Sequence, residues 1–314
     1  MMRKLFLLAL LTLQIWADAH VFVYHRFGDD KHASTNTSLS DLRAQFDYFK
    51  NNGYNVIPLS RLAQAFKNNE PIDEKWVVLT IDDSYKSFHE NGLPIFKEYG
   101  YPFALFIYIE ATERGYNDFM SWEQISEAAK YGEIALHSYA HEHMVSLDTQ
   151  SIIADTQKGY SAFEERLGFK PRYYAYPYGE FNQKVRSAIE SFGFDLIFNQ
   201  NSGAVSNESD PHDLDRIALV GKVNLKPKLR IATLPTTWIA PKSWPAGGKL
   251  KTIHATIPAS ITRLEYYLSG YGWKYVNSKN GVVHIDMDNA LKYDRNRIFL
   301  KHGNRQSSMI LVKE

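Results

Sequence analysis

The chain has 314 residues and carries 36 Lys plus Arg against 35 Asp plus Glu, which leaves no basic surplus for a nucleic-acid partner. Its length and 44% hydrophobic content suit one large α/β unit with a smaller partner. There is no Cys, so disulfides and thiolate ligands are excluded, and any metal must be held by His, Asp or Glu.

Arg3 and Lys4 precede the apolar run Leu5 to Leu13, and Ala17-Asp18-Ala19 has the small-x-small pattern of a signal-peptidase site. Residues 1–19 therefore read as a signal peptide cleaved after Ala19, with an exported product, periplasmic or secreted. The run is too short for a comfortable membrane span, and no later stretch approaches that length. Cleavage removes Arg3, Lys4 and Asp18, bringing the formal charge close to zero.

His20 to His25 reads as a short strand ending in His25 and a turn-prone Phe27-Gly28-Asp29-Asp30. Leu42, Phe46 and Phe49 have helical spacing behind a Ser38 or Ser40 cap, and Asn52-Gly53 closes that helix. A strand over Tyr54 to Pro58 and a helix through Leu62 and Phe66 follow. Val77, Val78, Leu79 and Ile81 form a near-continuous apolar run, as in a strand buried on both faces, and it stops at Asp82-Asp83-Ser84. The charge thus sits at a strand's C-terminal end, where α/β folds collect ligands. Adjacent side chains on an extended segment point in opposite directions, so Asp82 and Asp83 take separate roles only if the backbone turns there. A helix-capping Asp83 and a solvated Asp82 are the plainer alternative.

A helix from Phe88 to Gly100, a strand from Tyr101 to Ile109 and a helix from Ser121 to Tyr131 continue the alternation. Ile134-Ala135-Leu136 then delivers His137-Ser138-Tyr139-Ala140-His141. Two His at i and i+4 face the same way if the segment is helical, near enough for one divalent ion; His143 leaves open which of them is used. The helix Ser151 to Leu167 leads to Tyr173–Gly179, a strand running into a Pro-Gly turn. A helix from Asn182 to Phe192, a strand at Leu196 to Phe198, a long loop from Asn199 to Asp213 and a last strand at Ile217 to Val220 complete this part.

The character changes near Lys222. Helix signals become sparse, with Ile261 to Leu268 the one candidate, and strands are expected at Trp273 to Val276, Val282 to Asp286, Ile298 to Lys301 and Met309 to Val312. Asn280-Gly281 is a hairpin-turn signal. The expected organisation is a first domain over 20–222 and a β-rich domain over 223–314. In the latter, Trp238, Trp244, Tyr271 and Trp273 are either core residues or sugar-stacking rings.

Asp83, His137 and His141 together would form a two-His, one-carboxylate site with open positions, and Asp82 beside it would be free to act as a base. Such a constellation suits hydrolysis of an amide or ester.

Thr80-Ile81-Asp82-Asp83, His137-Ser138-Tyr139-Ala140-His141 and Tyr176-Pro177-Tyr178-Gly179, in this order, resemble the motifs of the NodB-homology polysaccharide deacetylases of carbohydrate esterase family 4. The resemblance covers roughly residues 20–222. It implies a distorted (β/α) barrel, with Asp82 as general base and Asp83, His137 and His141 as ligands of one divalent metal. Zinc is the first choice, with cobalt, nickel or iron compatible. It also implies substrate and oxyanion contacts around Tyr176, Pro177 and Tyr178, where a backbone N–H stabilises the tetrahedral oxyanion. No Leu-x-His segment supplies the usual acid near Ile217 to Val220. Tyr24-His25 instead resembles the permuted branch that includes poly-N-acetylglucosamine deacetylases, which makes His25 the candidate acid.

Two departures carry expectations. Ser84 stands where the family has Gly, so the turn after the Asp pair is expected to avoid positive φ. The Arg that commonly pairs with the base is absent from its usual place; Arg216 is a candidate substitute, and a structural surface ion pair for it is equally open. The implied activity is metal-dependent removal of N-acetyl groups from an N-acetylglucosamine-containing exopolysaccharide. Peptidoglycan deacetylation and O-acetyl ester hydrolysis are alternatives, and a non-catalytic glycan-binding protein on the same fold is the rival from another class.

Overall fold

The computed structural model describes residues 18–314. The expected targeting segment lies outside them except for Asp18 and Ala19. Both are buried: Asp18 accepts from the Thr233 N–H at 3.0 Å, and Ala19 exchanges backbone hydrogen bonds with Val205 at 2.8 and 2.9 Å. Among the described residues no helix is long and apolar enough to cross a membrane.

The first strand, β1 (His20–Tyr24), is followed by the short pair β2 (Arg26–Phe27) and β3 (Asn36–Thr37). Then come β4 (Asn55–Val56), β5 (Trp76–Asp82), β6 (Ala104–Ile107), β7 (Glu133–Leu136), β8 (Tyr173–Ala175), β9 (Leu196–Phe198) and β10 (Ile217–Ala218). Seven of these form a parallel sheet in the order β10-β1-β5-β6-β7-β8-β9, and β4 pairs with the start of β5. Leu214 bridges Phe198 in parallel just before the chain enters β10, so the sheet curls towards closure. The architecture is a distorted (β/α) barrel, as expected, with the chain's first strand inserted between β5 and β10.

Every residue of β5 is buried. Val77, Leu79 and Ile81 pack in one apolar cluster with Phe46 and Phe49 of α1 (Leu39–Asn51), while Val78 packs in a second with Phe106 and Phe198. Burial on both faces explains why the sequence reads as an unbroken apolar run. The helices close as their sequences dictate: Ser38 caps α1 through the Asp41 N–H, and Ser121 with Gln124 forms a reciprocal capping box.

Beyond residue 230 the chain forms two antiparallel-rich sheets. β11 (Ala232–Thr233), β14 (Arg263–Leu268), β15 (Gly272–Asn277), β17 (Arg295–His302) and β18 (Arg305–Val312) make one, in the order β11-β18-β17-β14-β15. β12 (Thr237–Ala240), β13 (Lys249–Thr256) and β16 (Val282–Ala290) make the other. Two sequence expectations are corrected here. The segment Ile261 to Leu268 is not a helix: residues 263–268 are β14, with Leu264 and Leu268 turned to the core and Tyr267 on the opposite face. Asn280-Gly281 forms the expected two-residue hairpin turn, with φ of 50° and 78° and both backbone hydrogen bonds between Lys279 and Val282 at 2.9 Å, but the pairing stops at that bridge, because β15 and β16 then diverge into different sheets. Trp238 and Trp244 pack against the core clusters of these sheets.

Candidate active site

Parallel strands end on one edge of the sheet, and that edge gathers the motif residues. Tyr24 is in register with Ile81, which sets His25 next to Asp82. β7 leads into His137, and β8 into the Tyr176–Gly179 turn. A cleft of about 1140 Å³ opens there, lined by His25, Asp83, His137, His141 and Tyr178 among others.

The turn after β5 carries positive φ at Asp83 (73°) and at Ser84 (59°), contrary to the expectation that Ser in place of Gly would forbid it. The Ser84 hydroxyl donates to the Asp83 carbonyl, and the Ser84 carbonyl accepts from the Met120 N–H at 2.9 Å. Tertiary hydrogen bonds thus hold a conformation that costs about 1–2 kcal/mol per residue. The two carboxylates are thereby sent in different directions.

Asp82 turns inward and is fully buried. Arg216, 1% exposed, grips it through two hydrogen bonds of 2.7 Å, and the same guanidinium donates to Thr80 Oγ1 (3.2 Å) and the Asn199 carbonyl (2.9 Å). Burial opposes ionisation of Asp82, but the charges of Arg216 and His137 outweigh it and hold the carboxyl below its usual range. Arg216 is therefore no surface ion pair.

Asp83 Oδ1 lies 3.3 Å from His137 Nε2 and 3.0 Å from His141 Nε2, and the two imidazole nitrogens are 3.2 Å apart. The segment holding both His is not helical; Ser138 and His141 have φ of 64° and 54°, and Asp155 accepts from the N–H groups of Tyr139 and Ala140 at 3.0 and 2.8 Å. His137 Nδ1 donates to the Ala175 carbonyl at 2.7 Å, leaving Nε2 with its lone pair towards Asp83 and His141. Asp83 Oδ1 is buried with no hydrogen-bond partner. Three electron-rich atoms converging at about 3 Å, one of them orphaned, fit a divalent cation with ligand bonds of about 2.0–2.2 Å.

His25 faces the same cleft, and its Nδ1 is buried and unpartnered. Burial pushes its pKa down against the pull of the Asp83 and Asp82 charges. Of the three residues expected to contact substrate, only Tyr178 reaches the cleft. Tyr176 is fully buried, its ring stacked on Phe181 at 4.9 Å, and Pro177 is buried as well. Tyr178 sits at φ 59°.

A brace around Tyr178 was not legible in the sequence. Arg295 of β17 donates to the Tyr178 carbonyl at 2.7 Å and lies 3.3 Å from Glu180 Oε1. Glu180 in turn meets His143 Nδ1 at 2.7 Å, and the His143 ring stacks on Tyr178 with centroids 4.0 Å apart. His143 thus belongs to the brace and not to the Asp83 cluster. Arg295 has no local signal, being 117 residues from Tyr178.

Behind Arg216, the Asn199 amide donates to Asp213 (2.6 Å) and Asp215 (3.1 Å). Burial raises Asp213 to about 6, and burial with the Asp213 charge raises Asp215 to about 7. In the unfolded chain such carboxyls ionise near pH 4. The native state therefore holds more protons, and stability is lost as pH rises from about 4 to about 7. Asp215→Asn is expected to raise the melting temperature relative to wild type more at pH 8 than at pH 4. Thermal melts showing the same difference at both pH values would reject this account.

The strand ends of this parallel barrel gather a two-His, one-carboxylate cluster that could hold a divalent cation, beside a separate carboxylate clamped by Arg216. Residues 69–197 match the family model described as polysaccharide deacetylase. The poly-β-1,6-N-acetyl-D-glucosamine N-deacetylase of Escherichia coli K12 is 24% identical over 243 residues, covering 63% of this chain and 35% of that protein. The enzyme of the same name from Staphylococcus aureus MSSA476 is 23% identical over 211 residues, covering 63% and 72%. The chain thus spans about a third of the length of the first curated relatives it matches. Among solved structures, the Streptococcus pyogenes deacetylase PplD in complex with acetate superposes with a TM-score of 0.62 at 20% identity, covering 67% of this chain and 96% of that one. IcaB from Ammonifex degensii gives 0.57 at 24%, covering 65% and 92%. These likenesses show the fold.

Proposed function

We propose that the protein is a zinc-dependent N-deacetylase acting on a poly-N-acetylglucosamine exopolysaccharide, as a periplasmic or secreted protein. The observation that carries the reading is Asp82, buried, ionised and clamped by Arg216 beside the converging Asp83, His137 and His141 atoms. A binding protein has no use for a second, unshared carboxylate at that position. The substrate class rests on the names of the curated relatives.

In this reading Asp83, His137 and His141 hold the ion. When bound, it supplies Lewis-acid polarisation of the acetyl carbonyl and acidifies a water. Asp82 takes the proton of the attacking water, with Arg216 keeping its carboxylate ionised and oriented. The backbone N–H at Tyr178 donates to the oxygen that gains charge, and the brace from Arg295 fixes that turn. His25, across the cleft, protonates the departing amine, releasing acetate and a glucosamine unit. We assign residues 20–222 to the deacetylase unit and 223–314 to a β-rich unit that completes the cleft wall through Arg295.

The test is acetate release from β-1,6-linked N-acetylglucosamine oligomers with zinc supplied. Wild type should release acetate, lose the activity on chelation and regain it on metal addition. Asp82→Asn should be slower by about 10²–10⁴-fold while still binding the metal. Equal background release from both proteins, with metal bound, would remove the enzyme reading.

A further inference from the structure

The face of β17 that carries Arg295 continues beyond the cleft. Arg295, Arg297, Phe299 and Lys301 alternate along the strand and so share one side of the sheet. Arg295 meets the Tyr178 turn, and Arg297 donates to the carbonyl of Gln200, a residue that itself lines the cleft. Phe299 lies four residues past Arg295, about 13 Å along the strand. There it joins Tyr267 of β14, directly opposite in register, and Trp273 of β15, opposite Tyr267. The three ring centroids are 5.3, 5.8 and 5.9 Å apart.

These rings do not serve the core. Leu264, Leu268, Ile298 and Leu300, on the other face of the same strands, fill it. Trp273 is 47% exposed, and Tyr275 beside it 66%. Lys301 sits over the Trp273 ring and Arg263 over Tyr275, with Glu265 between them in the pairing register. Clustered rings on an outward sheet face, edged by hydrogen-bonding charges, mark a binding surface for a ligand that is apolar on its flat faces and polar at its rim. A pyranose chain has that chemistry.

We propose that Tyr267, Trp273 and Phe299, with Tyr275 beside them, form a distal subsite for the acetylated glycan, continuous with the cleft along β17. The identity of the ligand rests on the deacetylase reading above. The subsite would hold a chain whose reacting unit lies at His25 and Asp82, so it matters for long substrates and not for short ones. Arg263 and Lys301 outnumber Glu265, so the face should favour neutral acetylated sugars over cationic deacetylated ones.

The experiment compares N-acetylglucosamine hexamer and dimer as substrates for wild type, Trp273→Ala and Trp273→Phe, with thermal melts confirming that each variant folds. In Trp273→Ala the hexamer KM should rise about tenfold with kcat within about twofold, the dimer kinetics should be unchanged, and Trp273→Phe should stay close to wild type. Equal effects on hexamer and dimer, or no effect on either, would overturn the subsite. So would a wild-type dimer in sedimentation that Trp273→Ala disperses, since the face would then join two copies. If wild type releases no acetate, the deacetylase reading fails separately. Direct hexamer binding, kept in Asp82→Asn and lost in Trp273→Ala, would then sustain the subsite, and absence of hexamer binding to wild type would overturn it.

Discussion

Arg216→Ala is expected to be the most damaging single change in the barrel. The two 2.7 Å hydrogen bonds to Asp82 are formed where both side chains are fully buried. Taking away one partner of such a pair leaves an uncompensated charge and costs about 3–5 kcal/mol. The orphaned Asp82 would hold its proton to higher pH, because burial alone raises a carboxyl. Acetate release should therefore fall at neutral pH beyond what lost stability explains. Lys at this position should not rescue it, since a point charge cannot replace a bidentate fork. A double variant, Arg216→Met with Asp82→Leu, should recover stability without recovering activity. Chemical denaturation and acetate assays on the three variants separate these effects; an Arg216→Ala protein as stable as wild type would refute the account.

His25→Gln is expected to lower kcat/KM by about 10²–10⁴-fold, the range for loss of a general acid. Affinity for a divalent metal should hold, because His25 is outside the Asp83, His137 and His141 cluster. A smaller loss on a substrate whose leaving group needs no protonation, such as an activated acetyl ester, would identify the proton as the missing element. The same large loss on both substrates would instead assign His25 a structural role.

The barrel was legible because its signals are local. The β5 run, the Ser38 cap and the Ser121–Gln124 box each lie within a few residues, and they specify strands and helix starts without help from the rest of the chain. The segment 261–268 misled because apolar residues at 261, 264 and 268 have helical spacing, while the strand buries 264 and 268 by alternation and sets Tyr267 on the other face. Ser84 misled for a different reason. Its own preference is against positive φ, and hydrogen bonds from Met120 and within the turn override it. The motif residues could be assigned to one site because strand ends carried them, but the brace could not, since Arg295, Glu180 and His143 meet only through tertiary structure. Asp155, which fixes the loop between the two His, looked like any polar residue of a helix.

The placement of β1 has a consequence for how the molecule assembles. Phe22 pairs with Leu79 on one side and Ile217 on the other, partners 57 and 195 residues further along. Such non-local pairing slows folding, because the entropy of closing a long loop is lost before any contact offsets it. As the chain emerges, β1 can join β5 early but must wait with an open edge for β10. Arg216 arrives on the residue just before β10, so the clamp on Asp82 closes in the same late event. An incompletely made chain would thus expose an unpaired strand edge and hold an unclamped Asp82.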